Sequence, residues 1–315
     1  MKVETVTITN GPARACLMTY GASLTELWLE GIDHSLVLGS PDHSAYTDQM
    51  RYFGAIVGPV ANRIGGATAE LDGQTLRFPA NEGQNTLHGG QNGLSNRVWH
   101  IEDQSPASVR FGITLEDGED GLPGPLTLRA TYTLDKDGTL TVHLEGGSAK
   151  PTLCNPAFHG YWCLNGTGLS GHRLTINADH YVPVDGALIP TGEIAPVAGT
   201  PYDLRHATAL PSAQAFDTNF CLNGSGLRKV ACLETDSLAM WVETDAPGLQ
   251  IYDAARMTTA PVAGHHGAPY GAHAGLAIEP QFWPDAPNHP AFPAIDLRPG
   301  QVFSQTSRYS FQRKS

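Results

Sequence analysis

Charge is scarce in this 315-residue chain. Asp, Glu, Lys and Arg together make up 16% of it, while hydrophobic residues reach 41%. Such a chain buries a large core and is not a disordered one. Basic residues are the scarcer sign: 19 Lys and Arg face 31 Asp and Glu, a formal net charge of -12. That balance repels phosphate backbones and anionic lipid, so neither nucleic acid nor a membrane is expected as a partner. No stretch of 18 apolar residues occurs, and Met1-Lys2-Val3-Glu4-Thr5-Val6 enters a strand-like pattern at once, so a cytoplasmic protein is expected. The five Cys, at 16, 154, 163, 221 and 232, are odd in number and form no CxxC pair. They predict neither a disulfide framework nor a Cys-rich zinc site, and read as reduced core residues. Amphipathic helical periodicity over eleven or more residues is also missing, and the best short stretch, Arg205 to Gln214, is interrupted by Pro211. With 23 Pro and 35 Gly spread along the chain, helical bundles and coiled coils are excluded.

Period-two alternation is abundant. Leu126, Leu128, Ala130, Tyr132 and Leu134 alternate with Thr127, Arg129, Thr131 and Thr133; Asp135-Lys136-Asp137-Gly138 turns the chain, and Leu140, Val142 and Leu144 alternate on the way back. This predicts an antiparallel hairpin. Val109, Phe111, Ile113 and Leu115 repeat the pattern upstream, and Leu71-Asp72-Gly73-Gln74 predicts a second, tighter hairpin. Strand-turn spacing runs from end to end without a linker or repeat, which predicts an all-β, single-domain sandwich or barrel with little helix. The Gly/Pro/His-rich stretch Pro261 to His273 reads as a long mobile loop.

Polar groups interrupt this pattern where a plain sandwich does not need them. Glu279 ends the apolar approach Gly275-Leu276-Ala277-Ile278, a setting that raises a carboxyl toward the pKa of a useful base; an ion-paired structural Glu fits the local sequence as well. His159 lies between Phe158 and Tyr161-Trp162, amid the aromatic surface on which sugar rings stack, or is a core histidine. His88, before Gly89-Gly90, sits where backbone admits a ligand closely, or is a turn histidine. Arg63 inside Val60-Ala61-Asn62-Arg63-Ile64 needs a partner if buried, and Asp217 either serves a site or caps a turn. His265, His266 and His273 are a weak metal alternative in a solvated-loop setting. No G-x-S-x-G elbow, Walker loop or Rossmann fingerprint occurs.

Taken in order, these segments resemble the aldose 1-epimerase (mutarotase) family across nearly the whole chain. They are Tyr52-Phe53-Gly54-Ala55-Ile56-Val57-Gly58; Ala61-Asn62-Arg63-Ile64; Leu71-Asp72-Gly73; Asn85-Thr86-Leu87-His88-Gly89-Gly90; His159-Gly160-Tyr161-Trp162; Pro190-Thr191-Gly192-Glu193-Ile194; Gly199-Thr200-Pro201-Tyr202-Asp203-Leu204-Arg205; Phe216-Asp217-Thr218-Asn219-Phe220; and Glu279-Pro280-Gln281 with Pro284-Asp285-Ala286-Pro287-Asn288. The resemblance implies a β-supersandwich of mostly antiparallel strands with a sugar cleft on one face. It implies Glu279 as catalytic base and His159 as catalytic acid, with Arg63, His88 and Asp217 binding a monosaccharide. The implied reaction opens and recloses a hemiacetal and requires no metal, other cofactor or covalent intermediate. Gly58-Pro59, Trp162-Cys163 and Asn155-Pro156-Ala157-Phe158 depart from the family pattern and bear on which sugar is used, whether a hexose, a pentose, or a deoxy, acidic or sulfonated sugar. An anionic sugar would call for a further basic residue at the cleft, such as Arg256 or Arg173. The alternatives are a non-catalytic sugar-binding or sensor protein on the same fold and a metal-dependent isomerase of cupin type. Nothing in the sequence sets an oligomeric state.

Overall fold

The computed structural model describes residues 2–314. Its main layer is a nine-stranded antiparallel sheet in the order Thr208–Leu210, His172–Ile176, Arg228–Glu234, Leu238–Thr244, Phe303–Arg313, Leu140–Ser148, Leu126–Leu134, Ser108–Leu115, His100–Ser105. A six-stranded sheet packs against it, ordered Tyr161–Trp162, Leu276–Gln281, Gly248–Tyr252, Asp217–Leu222, Ala178–Val182, Ala195–Pro196. A three-stranded meander, Thr5–Asn10, Ala13–Met18 and Ser23–Leu29, adds to the same core. The fold is the expected all-β sandwich: the described residues contain no α-helix, only short 3-10 turns.

Alternation decides which side chains fill the core. In Leu126–Leu134 every second residue is buried, and Leu128, Ala130 and Tyr132 meet Leu249, Ile251 and Ile278 of the smaller sheet in one apolar cluster. The predicted hairpin pairs Leu134 with Leu140 through Leu126 with Ser148. The Asp72-Gly73 turn joins Thr68–Leu71 to Gln74–Arg77 with φ of 52° and 74°, the left-handed pair a two-residue hairpin turn demands. Trp162 of the smaller sheet stacks on Tyr309 of the larger, ring centroids 4.6 Å apart, in the middle of the interlayer space.

Two further stretches and one cysteine complete the fold. The stretch from Arg205 to Gln214, too interrupted for a helix, holds the edge strand Thr208–Leu210, whose backbone pairs with His172–Ile176. Residues 261–273 are irregular but anchored: His265 Nε2 bonds the Thr25 carbonyl at 2.8 Å, the Tyr270 hydroxyl donates to the Gly39 carbonyl at 3.0 Å, and Ser40 Oγ donates to the Ala263 carbonyl at 2.7 Å. Four of the cysteines are buried as expected, but Cys16 is half-exposed beside Thr7 and Arg14.

Candidate active site

The face of the six-stranded sheet that turns away from the core carries its polar side chains. Because side chains alternate along a strand, Ile278 and Leu276 enter the core while Glu279 and Ala277 project the other way. Cross-strand register then builds two adjacent rows on this face. Asn219, Gln250 and Glu279 form one; Asp217, Tyr252, Ala277 and Tyr161 form the other. Gln250 Nε2 donates to Asp217 Oδ1 at 2.6 Å, tying the rows together.

His159 comes from a separate short strand, Ala157–His159, paired with Ala55–Val57. Phe158 points into the core, so His159 faces the cleft, with Nε2 at 3.4 Å from Glu279 Oε1. Their side chains are 5% and 2% exposed, and His159 Nδ1 and Glu279 Oε2 have no protein partner. Tyr161 and Tyr52 flank the imidazole, with ring centroids at 5.0 and 5.9 Å.

Arg63 and His88 arrive together on a third unit. Arg63 pairs with Leu87 in a two-residue ladder, while Asn62 and His88 clasp each other: the His88 amide donates to the Asn62 carbonyl at 2.9 Å, and the Asn62 amide donates to His88 Nδ1 at 3.0 Å. Asn62 and His88 both have positive φ, 60° and 52°. Asn62 Oδ1 supports this bend by accepting the Arg63 amide at 2.9 Å. Gly89 allows the loop to close, since a Cβ there would lie 2.0 Å from the Gly58 carbonyl oxygen. Asp285 staples the unit to the sheet: its amide donates to the Arg63 carbonyl and its carboxylate accepts the Gly65 amide at 2.9 Å. The five residues singled out from the sequence, Glu279, His159, Arg63, His88 and Asp217, therefore converge on one site.

Burial governs the electrostatics. It drives the His159 imidazole down to about 4 and pushes the Glu279 carboxyl well above its ordinary range, with Asp217 adding to the rise and Arg63 opposing it. Both groups are driven toward their neutral forms. His88 is held well below its ordinary value by burial, by His159 and by Arg63, so it is neutral. Because its Nδ1 accepts a backbone N–H, its own proton sits on Nε2, and it is a fixed donor. Burial also raises Asp217, against the opposing pull of Arg63 and Gln250. Burial would lower Arg63, but Glu82, Asp217 and Glu279 outweigh it and hold the guanidinium firmly charged.

His88, His159 and Glu279 bring ligand-type atoms within 4.8 Å of one another, the spacing of a metal cluster. The His88 tautomer opposes that use: its lone pair is spent on the Asn62 amide, and the nitrogen left for a metal carries the proton. His265 and His273 each bond a different backbone carbonyl and do not join a cluster. Arg173 lies on the large sheet, paired with Glu234 and Asp236, whereas Arg256 lies near the Tyr252 hydroxyl.

Two residues of the cleft escape the sequence reading. Gln250 is the lone amide in the apolar run Gly248–Tyr252, a legible signal once the strand's faces are assigned. Glu82, which grips Arg63 at 2.6 and 2.9 Å, lies in a turn, and nothing in its neighbours marks it before the Arg63–Leu87 register is known.

Known proteins resemble this chain in sequence and in fold. The family model described as aldose 1-epimerase matches residues 4–310. The chain is 37% identical to the galactose mutarotase of Homo sapiens, with 98% of this chain and 94% of that protein covered. It is 34% identical to the aldose 1-epimerase of Escherichia coli K12, covering 94% and 91%. Among solved structures, an aldose epimerase homologue from C. elegans superposes with a TM-score of 0.94 at 30% identity over the whole of both chains, and a galactose 1-epimerase from Lactobacillus acidophilus with 0.86 at 26%. The chain belongs to the aldose 1-epimerase family.

Proposed function

We propose that the chain is a single-domain mutarotase that interconverts the α and β anomers of a free aldose, with Glu279 and His159 as its acid–base pair and Arg63, His88 and Asp217 as its sugar-binding groups. The observation that carries this reading is the 3.4 Å contact between two almost fully buried ionisable groups, an imidazole and a carboxyl. Ring opening removes a proton from the C1 hydroxyl and delivers one to the ring oxygen as the C1–O5 bond breaks and the C1 carbonyl forms. The pair gives up one proton and gains one, so its count is unchanged. Moving the carboxyl proton across the 3.4 Å contact makes Glu279 the carboxylate and His159 the imidazolium; Glu279 then takes the hydroxyl proton and His159 supplies one to the ring oxygen. Rotation about C1–C2 then presents the other carbonyl face, and the same two groups with exchanged roles close the ring.

The remaining groups suit binding. His88 offers an Nε2–H donor, Arg63 an N–H donor and Asp217 an acceptor, a set that matches the hydroxyls of an aldose. Tyr52 and Tyr161 supply aromatic surface for the ring's apolar face. Five unpaired cysteines suit a reducing compartment such as the cytoplasm.

The test follows freshly dissolved α-D-galactose, α-D-glucose, pentoses, deoxy sugars and sulfoquinovose by optical rotation or anomeric proton NMR. Equilibration faster than the spontaneous rate is expected, and the relative rates rank the sugars. Glu279→Gln and His159→Asn should each lower kcat by at least about 10²-fold, the size of one positioned acid or base. Near-normal turnover by either folded variant overturns the role assignment, and binding without acceleration by the wild-type chain favours the sensor reading.

A further inference from the structure

Arg63 is pinned more tightly than a sugar-binding residue requires. Its side chain is 8% exposed, and two of its three nitrogens are spent on one carboxylate: Nε donates to Glu82 Oε2 at 2.6 Å and Nη2 to Glu82 Oε1 at 2.9 Å. The third nitrogen, Nη1, lies 3.7 Å from Asp217 Oδ2, too far for a hydrogen bond. A bidentate pair fixes the plane of a guanidinium as well as its place, since both members are flat and meet edge to edge.

Glu82 is itself held in position. Its amide and that of Asn81 donate to the Asn85 carbonyl, both at 3.1 Å, and the Asn85 amide donates to the Glu82 carbonyl at 3.0 Å. The Asn81 side chain grips Leu87 at both ends, accepting the Leu87 amide at 2.7 Å and donating to the Leu87 carbonyl at 3.0 Å. Leu87 in turn pairs with Arg63 and precedes His88. The turn carrying Glu82 is thus built into the unit that delivers two of the sugar-binding groups.

We infer that Glu82 is a positioning residue: by holding the Nε/Nη2 edge of Arg63 it keeps Nη1 aimed at the cleft and stops the guanidinium from closing onto Asp217. Without it, the nearest carboxylate for a buried arginine is Asp217, and an Arg63–Asp217 pair would occupy both groups that are to meet the sugar. Glu82 touches no reacting atom, so its loss should weaken binding of ground state and transition state alike. The inference rests on the mutarotase reading of the cleft.

The test compares wild type, Glu82→Ala, Glu82→Gln, Arg63→Ala and the Glu82→Ala/Arg63→Ala double variant on whichever of α-D-galactose and α-D-glucose the wild type turns over faster. Glu82→Ala should raise KM about tenfold, as for one lost charge-assisted contact, with kcat within about twofold. Glu82→Gln, which keeps one acceptor, should restore part of the loss and serves if the alanine variant does not fold. In the Arg63→Ala background, Glu82→Ala should change KM no further, because the residue it orients is gone. An unchanged KM in Glu82→Ala and Glu82→Gln, or penalties that simply add in the double variant, would overturn the inference. A wild-type chain that accelerates neither sugar would overturn the mutarotase reading itself, which is a separate outcome.

Discussion

Glu279 and His159 give the stability of the protein opposite pH dependences. A carboxyl whose pKa is raised by folding keeps a proton that the unfolded chain releases near 4.5, so the folded state binds more protons and stability falls as pH rises through that interval. A histidine lowered from 6.5 to about 4 does the reverse: between those values the unfolded chain binds more protons, and stability falls as pH drops. Glu279→Gln should therefore raise Tm at neutral and alkaline pH and flatten the profile there, whereas His159→Asn should tilt the interval between pH 4 and 6.5 toward higher stability at the acid end, since the opposing slope of Glu279 then stands alone. Differential scanning fluorimetry of both variants across pH 4 to 9 checks this; identical slopes in all three proteins would show that neither group is desolvated as described. A variant that gains stability as it loses turnover fits a site whose function costs the fold something. At this scale the sequence was informative where a polar residue broke an apolar pattern, as at Glu279, His159 and Arg63. It was silent on Glu82, whose neighbours in the turn are ordinary turn residues.

Local elements follow their sequence signals closely where those signals are short-range. The two hairpins lie where alternation and Asp-Gly turns predict them, because facing residues there are close in sequence. The Asn62–His88 clasp was not legible, since 26 residues separate its partners and positive φ at Asn and His is written only in the closed loop. Gly89 is the element's weak point, with φ of 80° and the Gly58 carbonyl where a side chain would begin. Gly89→Ala should cost about 1–3 kcal/mol of stability through backbone strain and contact, measurable by urea unfolding. It should also lower kcat/KM by more than about tenfold, because His88 moves with it. Full stability and activity would mean that the loop tolerates a different closure.

Across the whole molecule, some buried polar atoms between the two sheets have no protein partner among the described residues. The Tyr309 hydroxyl and Trp162 Nε1 are buried at the sheet interface without partners, although their rings stack well. A buried hydroxyl without a partner carries a desolvation cost, so Tyr309→Phe should leave stability unchanged within about 0.5 kcal/mol or raise it. A loss above about 1 kcal/mol by chemical denaturation would reveal a partner for that hydroxyl. Sheet order at this scale lay beyond sequence periodicity, which assigns faces but not neighbours: Phe303–Arg313 pairs with Leu140–Ser148 and Leu238–Thr244, some 165 and 70 residues upstream. That placement has a consequence for biosynthesis. On the ribosome, the strand that fills the middle of the largest sheet is made after both of its neighbours, which must wait with open edges until it arrives. Those edges are the surface a chaperone would cover. A chain stalled before residue 303 would hold Glu279, His159 and Arg63 in its sequence and yet lack the central strand of the sheet that backs them.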